Sequence, residues 1–273
     1  MAAENVTVIR YRPADSDNDK RLVYFIEMLE LALHKTRDEF GEYSLEPAPV
    51  PISQARAFDL VRRGRYVDIV WGMTSTERES MTLPVRIPLL KGLLGYRVLL
   101  VHASQMNRIK AVASLEDLGS MTGIQGLDWP DTTILKANNL NILTSSDYES
   151  LFKMVTAGRA DYFPRSVAEV WSEIDSFSGQ GLVPSPSPIL FYEGPIYFFV
   201  NPQNTKLAGR LTLGLKRAIE DGSFDKLFYS QKDINRAIDF LNKGSPTVIR
   251  VPNPYLPDAT PLNDTRLWFQ WPE

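Results

Sequence analysis

Apolar positions along this chain recur at two spacings, and the two alternate. The run "VTVIRY" (6–11) is short and rich in β-branched residues, which predicts a strand, and the polar "PADSDND" behind it predicts a loop. Leu22, Phe25, Ile26, Leu29 and Leu33 then fall at helical spacing, predicting a long helix with one face for a sheet. "SLEPAPVP" is an extended piece stiffened by its three prolines. Ser53 is placed to cap the helix "QARAFDLVRR", which stops at Gly64. "VDIVW" (67–71) is a nearly all-apolar strand of the kind covered on both faces, so two strand–helix–strand units are complete by residue 72.

The second half repeats this logic. "YRVLLVHA" (96–103) predicts a strand, and "SLEDLGSMTGIQG" a short helix followed by a strand ending at Gln125 and Gly126. "DTTILKANN" opens a helix with Asp131 as its cap, and a helix through Tyr148, Leu151, Phe152 and Val155 ends at Gly158. "ADYFP" is the next strand, after which Ser166 caps a helix carrying Val167, Val170, Trp171 and Ile174. "PSPSP" (184–188) predicts a surface connection, and "IYFFVNP" (196–202) one more strand. Helices through Leu207, Leu211, Leu215 and Ala218, then through Ile234, Ala237, Ile238 and Leu241, end at Gly222 and Gly244. A proline-rich tail closes on Trp268, Phe269 and Trp271, aromatics that dock a terminus. Alternation throughout predicts the α/β class.

Composition narrows the function. The 273 residues are 44% hydrophobic and 23% charged, enough apolar mass for one large core or two small ones. A net charge of -3 without a basic stripe argues against a nucleic-acid partner. No apolar run approaches the roughly 20 residues that cross a bilayer. The absence of cysteine excludes disulfides, thiolate metal sites and cysteine nucleophiles. "MAAENVTVIRY" has no basic segment followed by an apolar one, so either the chain is cytoplasmic or a leader was removed upstream. His34 and His102 belong to no nucleophile or metal motif, and the glycines of "GLLG" and "GQG" form neither a phosphate loop nor a dinucleotide fingerprint. No catalytic residue, metal or cofactor is expected.

The stretch "LVRRGRYVDIVWGMTSTERES" joins a helix ending in glycine, a strand headed by Asp68 and a hydroxyl-rich segment closing on Glu-Arg. It resembles the type II periplasmic solute-binding proteins, in particular their polar amino acid branch. "SLEDLGSMTGIQG", "MVTAGRADYF" and "FFVNPQNTKLAGRLTLGLKRAIEDGSFDKLF" resemble later parts of the same family in the same order, so the likeness spans residues 5 to 230. It implies the periplasmic binding protein-like II fold: two Rossmann-like lobes joined by two crossover strands, around Tyr96–Val101 and Tyr197–Asn201, with a ligand cleft between them. Lobe 1 would comprise residues 1–97 and 200–273, including a C-terminal extension, and lobe 2 residues 98–199. The implied protein is a periplasmic monomer, its signal peptide removed, that closes on a small polar, carboxylate-bearing ligand and delivers it to the membrane permease of an ABC transporter. A ligand-sensing module acting with a sensor protein, and a dehydratase-type enzyme, are the alternatives on this fold.

The resemblance also implies site residues. Arg78 stands where the family's arginine forks onto a ligand carboxylate, a geometry that lysine does not reproduce, with Thr74 and Ser75 beside it. "GMTSTER" is one residue shorter there than is usual in the family, which can redirect the side chain, and pairing of Arg78 with Glu77 is the alternative. Gln125, Thr132 and Thr133 stand where the second lobe meets the ligand; helix capping by Asp131 and one threonine is the plainer explanation, and Asp128 or Trp129 are possible substitutes. Arg165 and Ser166 occupy the place where amino acid binders carry an aspartate for the ligand ammonium. Two arginines facing one cleft would suit an anion or dicarboxylate, unless Arg165 turns outward to pair with Glu169 four residues on. Tyr11 and Trp71 are candidates to stack on the ligand, or core aromatics.

Overall fold

The computed structural model describes residues 6–14, 22–49 and 52–271. In chain order, β1 (Thr7–Tyr11), α1 (Leu22–His34), α2 (Arg37–Phe40), β2 (Tyr43–Pro47), α3 (Gln54–Arg62), β3 (Ile69–Met73), α4 (Thr76–Met81) and β4 (Leu83–Val85) come first. β5 (Tyr96–His102), α5 (Met106–Lys110), α6 (Leu115–Gly119), β6 (Thr122–Gly126), α7 (Pro130–Ala137), β7 (Asn141–Ser145) and α8 (Tyr148–Thr156) follow. Then come β8 (Phe163–Ser166), α9 (Val170–Ser176), β9 (Leu182–Phe191), β10 (Ile196–Val200), α10 (Thr205–Glu220), α11 (Ser223–Ser230), α12 (Lys232–Asn242) and β11 (Val248–Arg250). Among the described residues, no helix is long and apolar enough to cross a membrane.

The chain folds into two compact units. The first comprises Met1–Leu89, Ile196–Gln231 and Pro257–Leu267. Its sheet has the order β2-β1-β3-β10-β4, with β1 parallel to β2 and β3, and β10 antiparallel to β3 and β4. Tyr24, Phe25, Met28, Leu29, Ala32 and Leu33 form the buried face of α1; Phe25, Leu29 and Leu33 were expected there, whereas Leu22 and Ile26 are only half-buried. α10 buries Leu207, Leu211, Leu215 and Ala218, and approaches α1 so closely that a Cβ at Gly214 would lie 1.9 Å from the Ala32 carbonyl oxygen.

The second unit comprises Leu90–Pro195, Lys232–Leu256 and Trp268–Glu273. Its main sheet has the order β11-β9-β5-β8, and an isolated bridge from Gly123 to Tyr162 connects it with the parallel pair β6-β7. The sequence assigned all of 200–273 to the first lobe, and the structure corrects this. β11 pairs with β9 in parallel, Arg236 on α12 bonds Asp175 at 2.8 Å, and Trp268 lies against Gly92 while Trp271 meets the Tyr96 ring edge-on. The unit borders likewise fall at Leu89/Leu90 and Pro195/Ile196, before the strands that were expected to carry the crossovers.

Local differences have local causes. "PSPSP" lies within β9 and is not a surface connection. Val98 pairs with Ile189 and Leu100 with Pro184, so residues 185–188 bulge opposite Leu99, where a proline has no ladder bond to donate. Asp131 does not cap α7; Trp129 holds the N-cap position and Pro130 the first turn, where its missing N–H costs nothing. Ser166 ends β8, and α9 starts only at Val170.

Candidate functional site

In the first unit, β3 delivers Trp71, Gly72 and Met73 to the start of α4, whose N-cap Ser75 accepts a bond from the Arg78 amide at 3.2 Å. Arg78 is buried, with 6% of its surface exposed. Its guanidinium covers the Phe58 ring, with Cζ 4.3 Å from the centroid. Nη1 donates to the Met73 carbonyl at 2.8 Å and Nη2 to Gln54 Oε1 at 2.6 Å. Gly72 makes room for it, since a Cβ there would stand 2.7 Å from Nη1. Both of these acceptors are neutral oxygens, so the two bonds orient the cation and cancel none of its charge.

The neighbouring groups are engaged as well. Thr74 Oγ1 donates to Glu79 Oε1 at 2.7 Å, and the other carboxylate oxygen of Glu79 takes bonds from Arg86 at 2.5 and 3.1 Å. Trp71 stacks on Phe25 at 5.5 Å, with Tyr11 and Phe198 each 6.2 Å away. These contacts match the core alternative for Tyr11 and Trp71, both of which keep part of their surface open.

In the second unit, Arg165 is 1% exposed, and its guanidinium is engaged by carboxylates of the same unit, the alternative that the sequence set beside a solute contact. Nε and Nη2 bond Glu173 at 2.8 and 2.5 Å, and Nη2 also reaches Glu169 at 3.1 Å. Trp129 and Phe163 lie against its face, at 4.8 and 5.0 Å. Burial alone would lower the pKa of this guanidinium, but the Glu173 and Glu169 carboxylates together outweigh that and hold it above its ordinary value. The pairing with Glu169 was an open alternative; the stronger partner, Glu173, was not foreseen.

A second buried ion pair lies in the same unit. Arg97 Nη2 stands 2.8 Å from Asp131 Oδ1, although neither Nε nor Nη2 is aligned for a hydrogen bond. The Tyr192 hydroxyl donates to the same carboxylate. Thr132 Oγ1 donates to Gly126 O at 2.7 Å, Thr133 Oγ1 to Pro130 O at 2.8 Å, and Ser166 Oγ to Leu93 O at 3.3 Å. Gln125 donates through Nε2 to Pro164 O at 2.9 Å, while its fully buried Oε1 has no partner. Among the described residues, no three His, Asp or Glu side chains converge in a way that would hold a metal.

No family model matches this sequence, and no curated protein matches it. Solved structures do. An ancestral arginine-binding protein bound to arginine is 15% identical, with 82% of this chain and 97% of that one covered at a TM-score of 0.62. A histidine kinase sensor domain with similarity to periplasmic binding proteins is 15% identical over 83% of this chain and 96% of its own, at 0.63. An ancestral amino acid-binding protein, a precursor of cyclohexadienyl dehydratase, is 18% identical over 82% and 94%, at 0.61. The chain has the type II periplasmic binding protein fold.

On this periplasmic binding protein fold, several residues that hold the two arginine clusters together are ones the sequence did not single out. Gln54 and Phe58 reach Arg78 from another element, and nothing in their local sequence marks them. Glu173 was more accessible to reasoning: it lies four residues beyond Glu169, so a helix there places both carboxylates on one face. Arg97 and Asp131 meet only through the tertiary fold, and Asp131 was taken for a cap.

Proposed function

We propose that this chain is an extracytoplasmic solute-binding protein that captures a small polar, carboxylate-bearing solute, an amino acid or a related organic acid, for an ABC transporter. The observation that carries the reading is Arg78, held over the Phe58 ring just beyond the carboxyl end of β3, a position suited to binding in open α/β sheets. A guanidinium oriented this way suits two-point recognition of a carboxylate. Thr74, Ser75, Tyr11 and Trp71 surround the same strand end and are proposed contacts, with Gln125 Oε1 as an acceptor in the second unit. Thr132, Thr133 and Ser166 are weaker candidates because their hydroxyls already donate to carbonyls of their own unit. The backbone likeness to amino acid-binding proteins supports the solute class, and a periplasmic location goes with it.

The test is a thermal-shift screen of amino acids, dicarboxylates, opines and small peptides. A solute present at about a hundred times its dissociation constant adds roughly 2.7 kcal/mol, enough to raise the melting temperature by about 5 °C or more. Arg78→Ala is expected to abolish that rise; a variant that still responds would remove Arg78 from the site. A sensing role is the second reading, favoured by the likeness to a histidine kinase sensor domain. A permease gene beside this one would favour transport, and fusion to a kinase or cyclase domain would favour sensing.

A further inference from the structure

Arg165 and Arg78 are both buried, and the acceptors that meet their guanidinium groups differ. Arg165 is gripped by the Glu173 and Glu169 carboxylates, whereas the bonds to Arg78 from Gln54 and Met73 come from an amide and a carbonyl. Gln54 begins α3, directly after its N-cap Ser53, and Phe58 follows one helical turn later, so both project from the same face toward Arg78. At that position a glutamate would have the same length and would suit the positive end of the helix. It would also place a carboxylate about where the glutamine oxygen now lies, 2.6 Å from Nη2, and so lower the positive charge at Arg78 relative to the wild type.

We infer that Gln54 is a positioning and specificity-determining residue: it sets the plane of the Arg78 guanidinium through a neutral acceptor, so that this contact subtracts nothing from the positive charge. The inference rests on the proposed role of Arg78 as a carboxylate anchor. Phe58 supplies the flat support, and the missing side chain of Gly72 supplies the space for Nη1. Relative to glutamate at 54, glutamine therefore favours an anionic group, and the exchange Gln54→Glu would shift preference toward neutral or cationic ones.

The experiment titrates L-glutamine, L-arginine and succinate calorimetrically into the wild type, Gln54→Glu, Gln54→Ala and Arg78→Ala. Whichever probe binds the wild type should bind Gln54→Glu at least about tenfold more weakly. Gln54→Ala should lose severalfold, and Arg78→Ala should not bind. Gln54→Glu should melt no lower than the wild type, because it gains an ion pair in a preserved helix. Undiminished binding by Gln54→Glu, with Arg78→Ala still inactive, would overturn the role of Gln54 while leaving the anchor in place. Side-chain NMR of arginine-labelled protein decides the matter even if none of the three probes binds. Separate Nη proton signals for Arg78 in the wild type, merging by rotation in Gln54→Ala, support the inference, and identical spectra for the two proteins contradict it.

Discussion

Arg165 and Glu173 lie almost wholly inside the second unit, 2.5 Å apart, with the Tyr148 hydroxyl donating to the same carboxylate at 2.9 Å. Removing one member of such a pair leaves a charge without compensation in a medium that solvates it poorly. Glu173→Ala is therefore expected to cost about 3–5 kcal/mol in urea unfolding, with Glu169→Ala costing less because its bond is longer and its side chain reaches solvent. Four buried phenols add a pH dependence. Burial is the first cause raising Tyr24, Tyr162, Tyr192 and Tyr197 above the ordinary 10.0. The folded state keeps protons that the unfolded chain sheds near pH 10, so this stability is complete below that value and is lost as pH rises beyond it. Urea midpoints that fall above about pH 10, with the tyrosinate absorption band appearing only on unfolding, would confirm the sign. At this scale the sequence was legible where partners are near neighbours, as with Arg165 and Glu169. It was opaque for Gln54 and Arg78, or Arg97 and Asp131, which only the fold brings together.

Helix α10 carries two glycines whose roles are opposite. A Cβ at Gly209 would meet nothing within 4 Å, whereas one at Gly214 would run into the backbone of Ala32 on α1. Gly209→Ala should raise stability by about 0.5–1 kcal/mol through lower backbone entropy in the unfolded chain. Gly214→Ala should lower it by about 1–3 kcal/mol or more, because two helices must separate to admit a methyl group. Chemical denaturation of the two variants separates these outcomes. Periodicity made both helices legible, but it does not say which glycine marks their contact. The prolines of β9 misled for a related reason: a strand accepts them where its pairing slips, and that slip between Val98 and Leu100 is a property of two strands together.

Two units of α/β structure follow from the order of motifs, and that order was legible in the sequence. Their borders were less so, since the chain passes between the units after Leu89, Pro195, Gln231, Leu256 and Leu267. The last of these passages depend on β11 pairing and on where Trp268 finds a surface, both long-range events. The charge balance of the second unit also differs from the expectation. Its two buried arginines face Asp131, Glu169 and Glu173, so this cluster brings no net positive charge to a solute. The proposed carboxylate recognition therefore concentrates on Arg78 in the first unit. The most direct test is calorimetric titration of the solute that most raises the melting temperature into the wild type and Arg78→Ala. One saturable site in the wild type, absent from a variant that folds normally, is the predicted result; equal affinity in both proteins would contradict the assignment.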